Sequence, residues 1–267
     1  MCEFCHKHGE GKKWYLQMEN YSKDLFSRDN RKEFVRGFIG GFFERYKNSL
    51  QKLDKLKKAP RFVQRIVRSI VVPKYKKIHY GQVVPIEDLE KIISMMKVVV
   101  RIPCVCRKLT IGKEVRYCFG VGAAIHAQIS DFTRNFDVVK KEEAVKTLRE
   151  LDAKGLMHSV WTFKTPFIGG ICNCDQDCMA YKSRVQYKLP LFFKAEYVAT
   201  IDPDKCIGCS ECRGVCQFGA VFYSAANEKC TISLENCYGC GVCRAVCPQG
   251  AITLRERKEI PEIAGQW

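Results

Sequence analysis

Apolar residues recur three and four apart at Ile39, Phe43, Tyr46, Leu50 and Leu53, which predicts helix over roughly 23–58. Gly37, Gly40 and Gly41 interrupt that pattern and mark close packing or a kink. A second amphipathic stretch, 61–72, places Phe62, Ile66 and Ile70 on one face and Arg65 and Arg68 opposite, with Pro60 and Pro73 bracketing it. Ala144, Leu148 and Leu151 return to helical spacing within 140–153, where Asp137 is positioned to cap the start and Gly155 to stop the end. Residues 156–163 then read as a strand. Beyond 196 the period shortens, and alternating runs at 197–201, 221–223, 230–234 and 252–254 predict small hairpins. The pattern predicts an α+β protein with a basic helical region (1–80), a mixed α/β middle lobe (81–195), a small C-terminal domain (196–257) and a tail (258–267). Helix, glycine and strand in the order found at 140–163 also match a winged-helix lobe.

Composition narrows the class. In 267 residues, 46% are hydrophobic, enough for a true core. The best apolar runs, 70–72 and 98–100, fall far short of the roughly 18–20 residues of a membrane span. The first residues lack the apolar core of a secretory signal, so the expected location is cytoplasmic. Seventeen cysteines, an odd number, point in a reducing compartment to thiolate ligands rather than bridges.

Residues 200–254 contain one unit twice, at an offset of 31: Cys206, Cys209, Cys212 and Cys216 map onto Cys237, Cys240, Cys243 and Cys247. Thr200-Ile201, Gly208 and Gly219-Ala220-Val221 keep the same register with Thr231-Ile232, Gly239 and Gly250-Ala251-Ile252. Each copy reads C-x2-C-x2-C-x3-C, which lets one tight loop present three sulfurs to a cube. Gly208, Gly239 and Gly241 are free to take the positive φ that such a loop demands. The segment closely resembles bacterial ferredoxins with two [4Fe–4S] clusters. The crossed pattern of that family implies that Cys206, Cys209, Cys212 and Cys247 hold one cluster, and that Cys237, Cys240, Cys243 and Cys216 hold the other. The second copy ends in Pro248; the first departs from the family with Gln217, a position that ligates nothing. Zinc is the competing reading of paired C-x2-C motifs, and eight cysteines in a doubled register weigh against it. Cys230, outside the register, reads as a structural thiol.

A second cysteine set lies between residues 101 and 180. Two C-x-C pairs, Cys104/Cys106 and Cys172/Cys174, would each face one side of an extended strand, about 6.5–7 Å apart, as two corners of a cubane require. Together they would supply four ligands of a third cluster, with Cys118 and Cys178 as alternates; buried free thiols are the plainer reading. Pro103–Arg107, Cys118, Gly155-Leu156-Met157-His158 and Ile171–Cys174 resemble the motifs of a loosely characterised family of anaerobe iron–sulfur proteins, which implies electron transfer without a defined substrate. The chain departs from that family where Asp175-Gln176-Asp177 intervenes before Cys178. His158 reads as a structural histidine, with a ligand or gate role as the alternative.

Charge bears on partners. The formal net charge is +16, and twelve basic residues stand between Arg45 and Lys77 against Asp54 alone. Such a block suits an acidic electron carrier, an oxidoreductase subunit or an anionic membrane surface. No recognised motif supports nucleic acid. Cys2 and Cys5, with His6 and His8, form a further candidate metal group, because the C-x-x-C-H of haem attachment belongs to exported chains. No acid–base pair, nucleotide-binding glycine motif or hydrolase triad stands out. The expected function is electron relay within an anaerobic redox complex. The alternatives are a reductase with an atypical cluster in the middle lobe and an iron–sulfur redox sensor that binds DNA.

Overall fold

The computed structural model describes residues 13–122 and 136–266. The helical pattern near the start becomes α1 (Lys23–Ser27), α2 (Arg31–Gly40), α3 (Phe42–Lys58) and α4 (Arg61–Ile78). Ser22 caps α1, its hydroxyl accepting from the Leu25 amide at 3.1 Å. The chain breaks again where Asp29 and Asn30 take positive φ (56° and 52°), and at Gly41. Pro73 does not end its helix as the sequence suggested: α4 runs through it to Ile78. Pro73 and Ser69 are both exposed, so the carbonyl that loses its partner at the proline faces solvent. Among the described residues, no helix is long and apolar enough to cross a membrane.

A seven-stranded sheet forms the body. Its strands are β1 (Gly81–Val84), β2 (Val99–Ile102), β3 (Cys118–Val121), β4 (Asp137–Val139), β5 (Met157–Thr162), β6 (Ile168–Cys174) and β7 (Phe192–Phe193), in the order β4-β2-β3-β6-β5-β1-β7. Neighbours are antiparallel except β1 and β7. Two helices, α5 (Ile86–Met95) and α7 (Lys141–Ala153), pack together on one face. Leu89, Ile92, Ile93 and Leu148 meet Phe119, Val160 and Ile171 there, and Trp14, Tyr15 and Tyr21 complete this core. Asp137, expected to cap α7, lies instead in β4, where it is paired with Arg101 across the strands and with Arg116 at 2.9 Å; α7 begins after Lys140 with no side-chain cap. Gly155 ends the turn after α7 at φ 80°.

The opposite face carries Val83, Met157, Trp161 and Cys174, and is covered by Phe192, Tyr181 and Tyr238. Two short helices, α6 (Val105–Ile111) and α8 (Met179–Tyr181), flank it, and α3 packs against α6. The C-terminal segment follows as β8 (Tyr197–Ile201), α9 (Glu211–Val215), β9 (Val221–Ser224), β10 (Lys229–Ile232), α10 (Val242–Ala245) and β11 (Ile252–Glu256). The sequence repeat is a structural one: β8 pairs with β11 and β9 with β10, so each two-stranded sheet joins one strand from each copy, and β9–β10 alone is a hairpin of the kind the sequence suggested. Neither copy could close a core alone. Arg257, fully buried, ties the end of this segment back to its own start by donating to the carbonyls of Ala195, Tyr197 and Cys237 at 3.1, 2.9 and 2.8 Å.

Candidate metal centres

Each cysteine loop of the C-terminal segment rests on a neighbouring backbone. A Cβ at Gly208 (φ 70°) would lie 2.1 Å from the Glu228 carbonyl oxygen, and one at Gly239 (φ 68°) would lie 2.0 Å from that of Tyr197. Glycine is thus required twice over, by conformation and by contact. The loops enclose two hollows. Cys206, Cys209, Cys212 and Cys247 line the first, beside Ile201, Pro248 and Cys230. Cys216, Cys237, Cys240 and Cys243 line the second, beside Phe218, Tyr238 and Val242.

The residues fit iron–sulfur clusters. Main-chain amides point at the sulfurs: Ala199 and Gly239 donate to Cys237 Sγ at 3.4 and 3.3 Å, Ala220 to Cys216 Sγ at 3.3 Å, Ala251 to Cys247 Sγ at 3.4 Å, and Cys230 to Cys206 Sγ at 3.5 Å. Such donors stabilise negative sulfur and tune cluster potential. Burial pushes Cys212 and Cys243 up to about 12 and raises Cys237 and Cys240, so these thiolates need a bound cation. Among the described residues, no three His, Cys, Asp or Glu converge closely enough for a single metal ion. The thiols instead surround hollows, which suits a larger group than zinc. Cys230 is buried on β10, with Ser210 Oγ 3.6 Å from its sulfur.

The middle set departs from expectation in two ways. Cys172 and Cys174 do lie on one strand, β6, with side chains on one face. Cys104 and Cys106, expected on an extended segment, sit at the start of α6, with Cys104 as its N-cap residue. The tertiary fold, not a pleat, brings them to the others. The second departure is that all six cysteines gather. Cys104 and Cys118 sulfurs are 3.4 Å apart, and Cys118, Cys172, Cys174 and Cys178 follow in a row, each close enough to shift the ionisation of the next. Cys106 lies within electrostatic reach of Cys178 and Cys118.

Contacts between these thiols and their burial raise Cys172 and Cys174, burial alone being the main cause that pushes Cys106 up to about 12, whereas Cys118, hydrogen-bonded to Cys104 and Cys172, is lowered. Six soft sulfur donors without a histidine among them suit iron–sulfur chemistry.

Several residues around this set escaped the sequence reading. Arg107, buried on α6, donates to the Asn173 carbonyl at 3.1 and 3.2 Å and to Asp175 at 2.6 Å, with its Nη1 3.7 Å from Cys104 Sγ. Asp175, read as an interruption, also accepts from the Cys178 thiol at 3.5 Å. The Tyr117 amide donates to Cys104 Sγ at 3.2 Å. Tyr46 of α3 is half-buried near Cys106, Cys172 and Cys174, and desolvation and their charge push its hydroxyl well above the usual phenol value. Arginine directly after a cysteine pair was the one signal in the sequence.

His158 takes no part. It pairs with Asn173 in register, on the sheet face opposite Cys172 and Cys174, and its Nδ1 lies 2.6 Å from Asn173 Oδ1. Asp152 is 3.5 Å from its other nitrogen. Cys2, Cys5, His6 and His8 lie outside the described residues.

With this geometry in place, comparison with protein families identifies a 4Fe-4S dicluster domain at residues 199–254. Comparisons with curated proteins and with solved structures found no match. The C-terminal segment is therefore a ferredoxin-like iron–sulfur module.

Proposed function

We propose that this chain is an electron relay, with two [4Fe–4S] clusters in the C-terminal module and a third iron–sulfur centre in the six-cysteine site. In this reading Cys206, Cys209, Cys212 and Cys247 hold one cluster, Cys237, Cys240, Cys243 and Cys216 the next, and the third is held within Cys104, Cys106, Cys118, Cys172, Cys174 and Cys178. Bound clusters would supply one-electron carriers; the chain's own residues fix their spacing, exclude water and set the surrounding charge.

The observation that carries the reading is contiguity. Gln217 directly follows Cys216, and its Nε2 donates to the carbonyls of Gly155 at 2.6 Å and Cys174 at 3.4 Å. Tyr181, three residues past Cys178, donates its hydroxyl to the Gln217 carbonyl at 3.0 Å. Phe218 stacks on Tyr238 with ring centroids 3.7 Å apart and planes 8° from parallel. The wall of the second hollow is thus also a wall of the six-cysteine site. The order this implies is first hollow, second hollow, six-cysteine site.

Further parts of the reading are an oxidoreductase complex in a reducing, anaerobic cytoplasm and an acidic electron carrier as partner. The division at residues 80, 195 and 257 belongs to it too.

Six thiols exceed the four that one cubane takes, which favours a second reading: an atypical centre that itself reduces a small substrate. Anaerobic iron and sulfide analysis decides between them. The relay predicts about twelve of each per chain, falling to about eight in Cys172→Ser/Cys174→Ser with the module's spectrum intact. About eight in the unmodified chain would remove the third centre. A value clearly above twelve would favour the atypical one.

A further inference from the structure

Helix α4 shows an unusual division of its surface. Its inner side is fixed to the body: Val72 is buried against Tyr187 and Leu189, and Arg68 donates to the Tyr187 carbonyl at 3.0 Å. That attachment turns Phe62, Ile66 and Ile70 outward, where they are 67, 56 and 54% exposed. Residues four apart advance about 6 Å along a helix axis and share a face, so the three form one straight apolar ridge. By the same helical arithmetic Lys76 and Arg65 flank one side of the ridge, Arg65 lying beside it and not opposite as its spacing suggested, Lys74 flanks the other, and Lys77 closes its C-terminal end. The whole of α4 contains no acidic residue.

We propose that this ridge seats α4 in the headgroup layer of an anionic membrane, with the helix parallel to the surface. Large apolar side chains left in water are an unfavourable arrangement unless something covers them. The shape selects the cover: a convex ridge on one helix fits a deformable flat surface. The chemistry selects it as well. Cations along both edges and at one end of an apolar stripe can reach phosphate oxygens while their stems lie along the acyl boundary. The lysine block at the end of α3 adds attraction of the same sign. Because α3 also packs on α6, which bears Cys106, the helix pair that rests on lipid is the one that roofs the six-cysteine site. The proposal does not depend on the metal content of that site.

The test is cosedimentation of the full chain, prepared anaerobically, with vesicles of phosphatidylcholine alone or mixed with phosphatidylglycerol. Binding is expected only to the mixed vesicles and is expected to weaken with salt. Phe62→Ser/Ile66→Ser/Ile70→Ser should lower affinity by about tenfold or more, and Arg65→Gln/Lys74→Gln/Lys77→Gln by a similar factor. All six positions are surface ones, and an unchanged far-ultraviolet circular dichroism spectrum confirms that each variant is folded. Failure of the unmodified chain to bind the mixed vesicles would overturn the proposal and assign the ridge to a protein partner. Undiminished binding by the serine variant would reduce the contact to charge alone and overturn insertion.

Discussion

Gln217 and Cys174 stand 43 residues apart in the chain, yet the side-chain amide of one donates to the main-chain oxygen of the other at 3.4 Å. Ferredoxins of the type the C-terminal module resembles usually carry proline where Gln217 stands. Here that position ties the module to the six-cysteine site.

Replacing Gln217 by leucine keeps the volume and deletes both donated bonds. The carbonyls of Gly155 and Cys174 would lose this donor, at a cost of about 1–3 kcal/mol. Anaerobic denaturant unfolding should show that loss with the iron content of the folded protein unchanged. Equal stability would mean that the two contacts contribute nothing.

Gly239→Ala and Gly219→Ala separate steric clash from backbone strain. Both glycines have positive φ, but a Cβ at 239 meets the Tyr197 oxygen while one at 219 meets nothing within 4 Å. The first should cost more than about 3 kcal/mol and empty the second hollow. The second should cost about 1–2 kcal/mol and leave iron in place. Iron analysis and melting temperature read the contrast.

Arg107→Gln removes the positive charge nearest Cys104 and breaks the 2.6 Å pair with Asp175. In the proposed third centre, the added electron of the reduced form would then be less well stabilised. Its reduction potential should fall by on the order of 50–100 mV, as measured by a redox titration followed by electron paramagnetic resonance. An unmoved third potential would detach Arg107 from the centre.

Burial lowers His79 to about 4, against the opposing bond to the Thr162 carbonyl. The unfolded chain, titrating near 6.5, therefore takes up a proton in a range where the folded chain does not. Stability contributed by neutral His79 is complete above about pH 6.5 and is lost as pH falls toward 4. Between pH 7 and 5.5 the unmodified protein should lose about 1 kcal/mol more than His79→Gln. Unfolding curves at the two pH values test the difference, and parallel losses would contradict it.

What the chain disclosed about itself follows from the range of the forces involved. The doubled cysteine runs, the strand at Tyr197–Ile201 and the first three residues of Ile252–Glu256 depend on neighbours in sequence, so spacing and alternation revealed them. Cys172 and Cys174 were legible for the same reason, since one strand sets their common face. Cys104 and Cys106 were not: their position at a helix start depends on where α6 docks. Cys118 and Cys178 could be placed only as alternates, because β3 and the turn before α8 join the set through the sheet. Pro73 misled because a helix tolerates proline when the orphaned carbonyl faces solvent. Gln217 looked like a missing proline, and its partners lie in another part of the chain.

Arg257 has a consequence for how fast such a molecule could work. A buried guanidinium gripping the carbonyls of Ala195, Tyr197 and Cys237 locks the module's end to its own first strand and second loop, and Gln217 on Gly155 and Cys174 holds that closed unit to the body. A carrier built this way does not shuttle on a tether. Its hopping distances are set once, when the chain folds, and every later change of pace must come from the driving force or from whatever docks at either end.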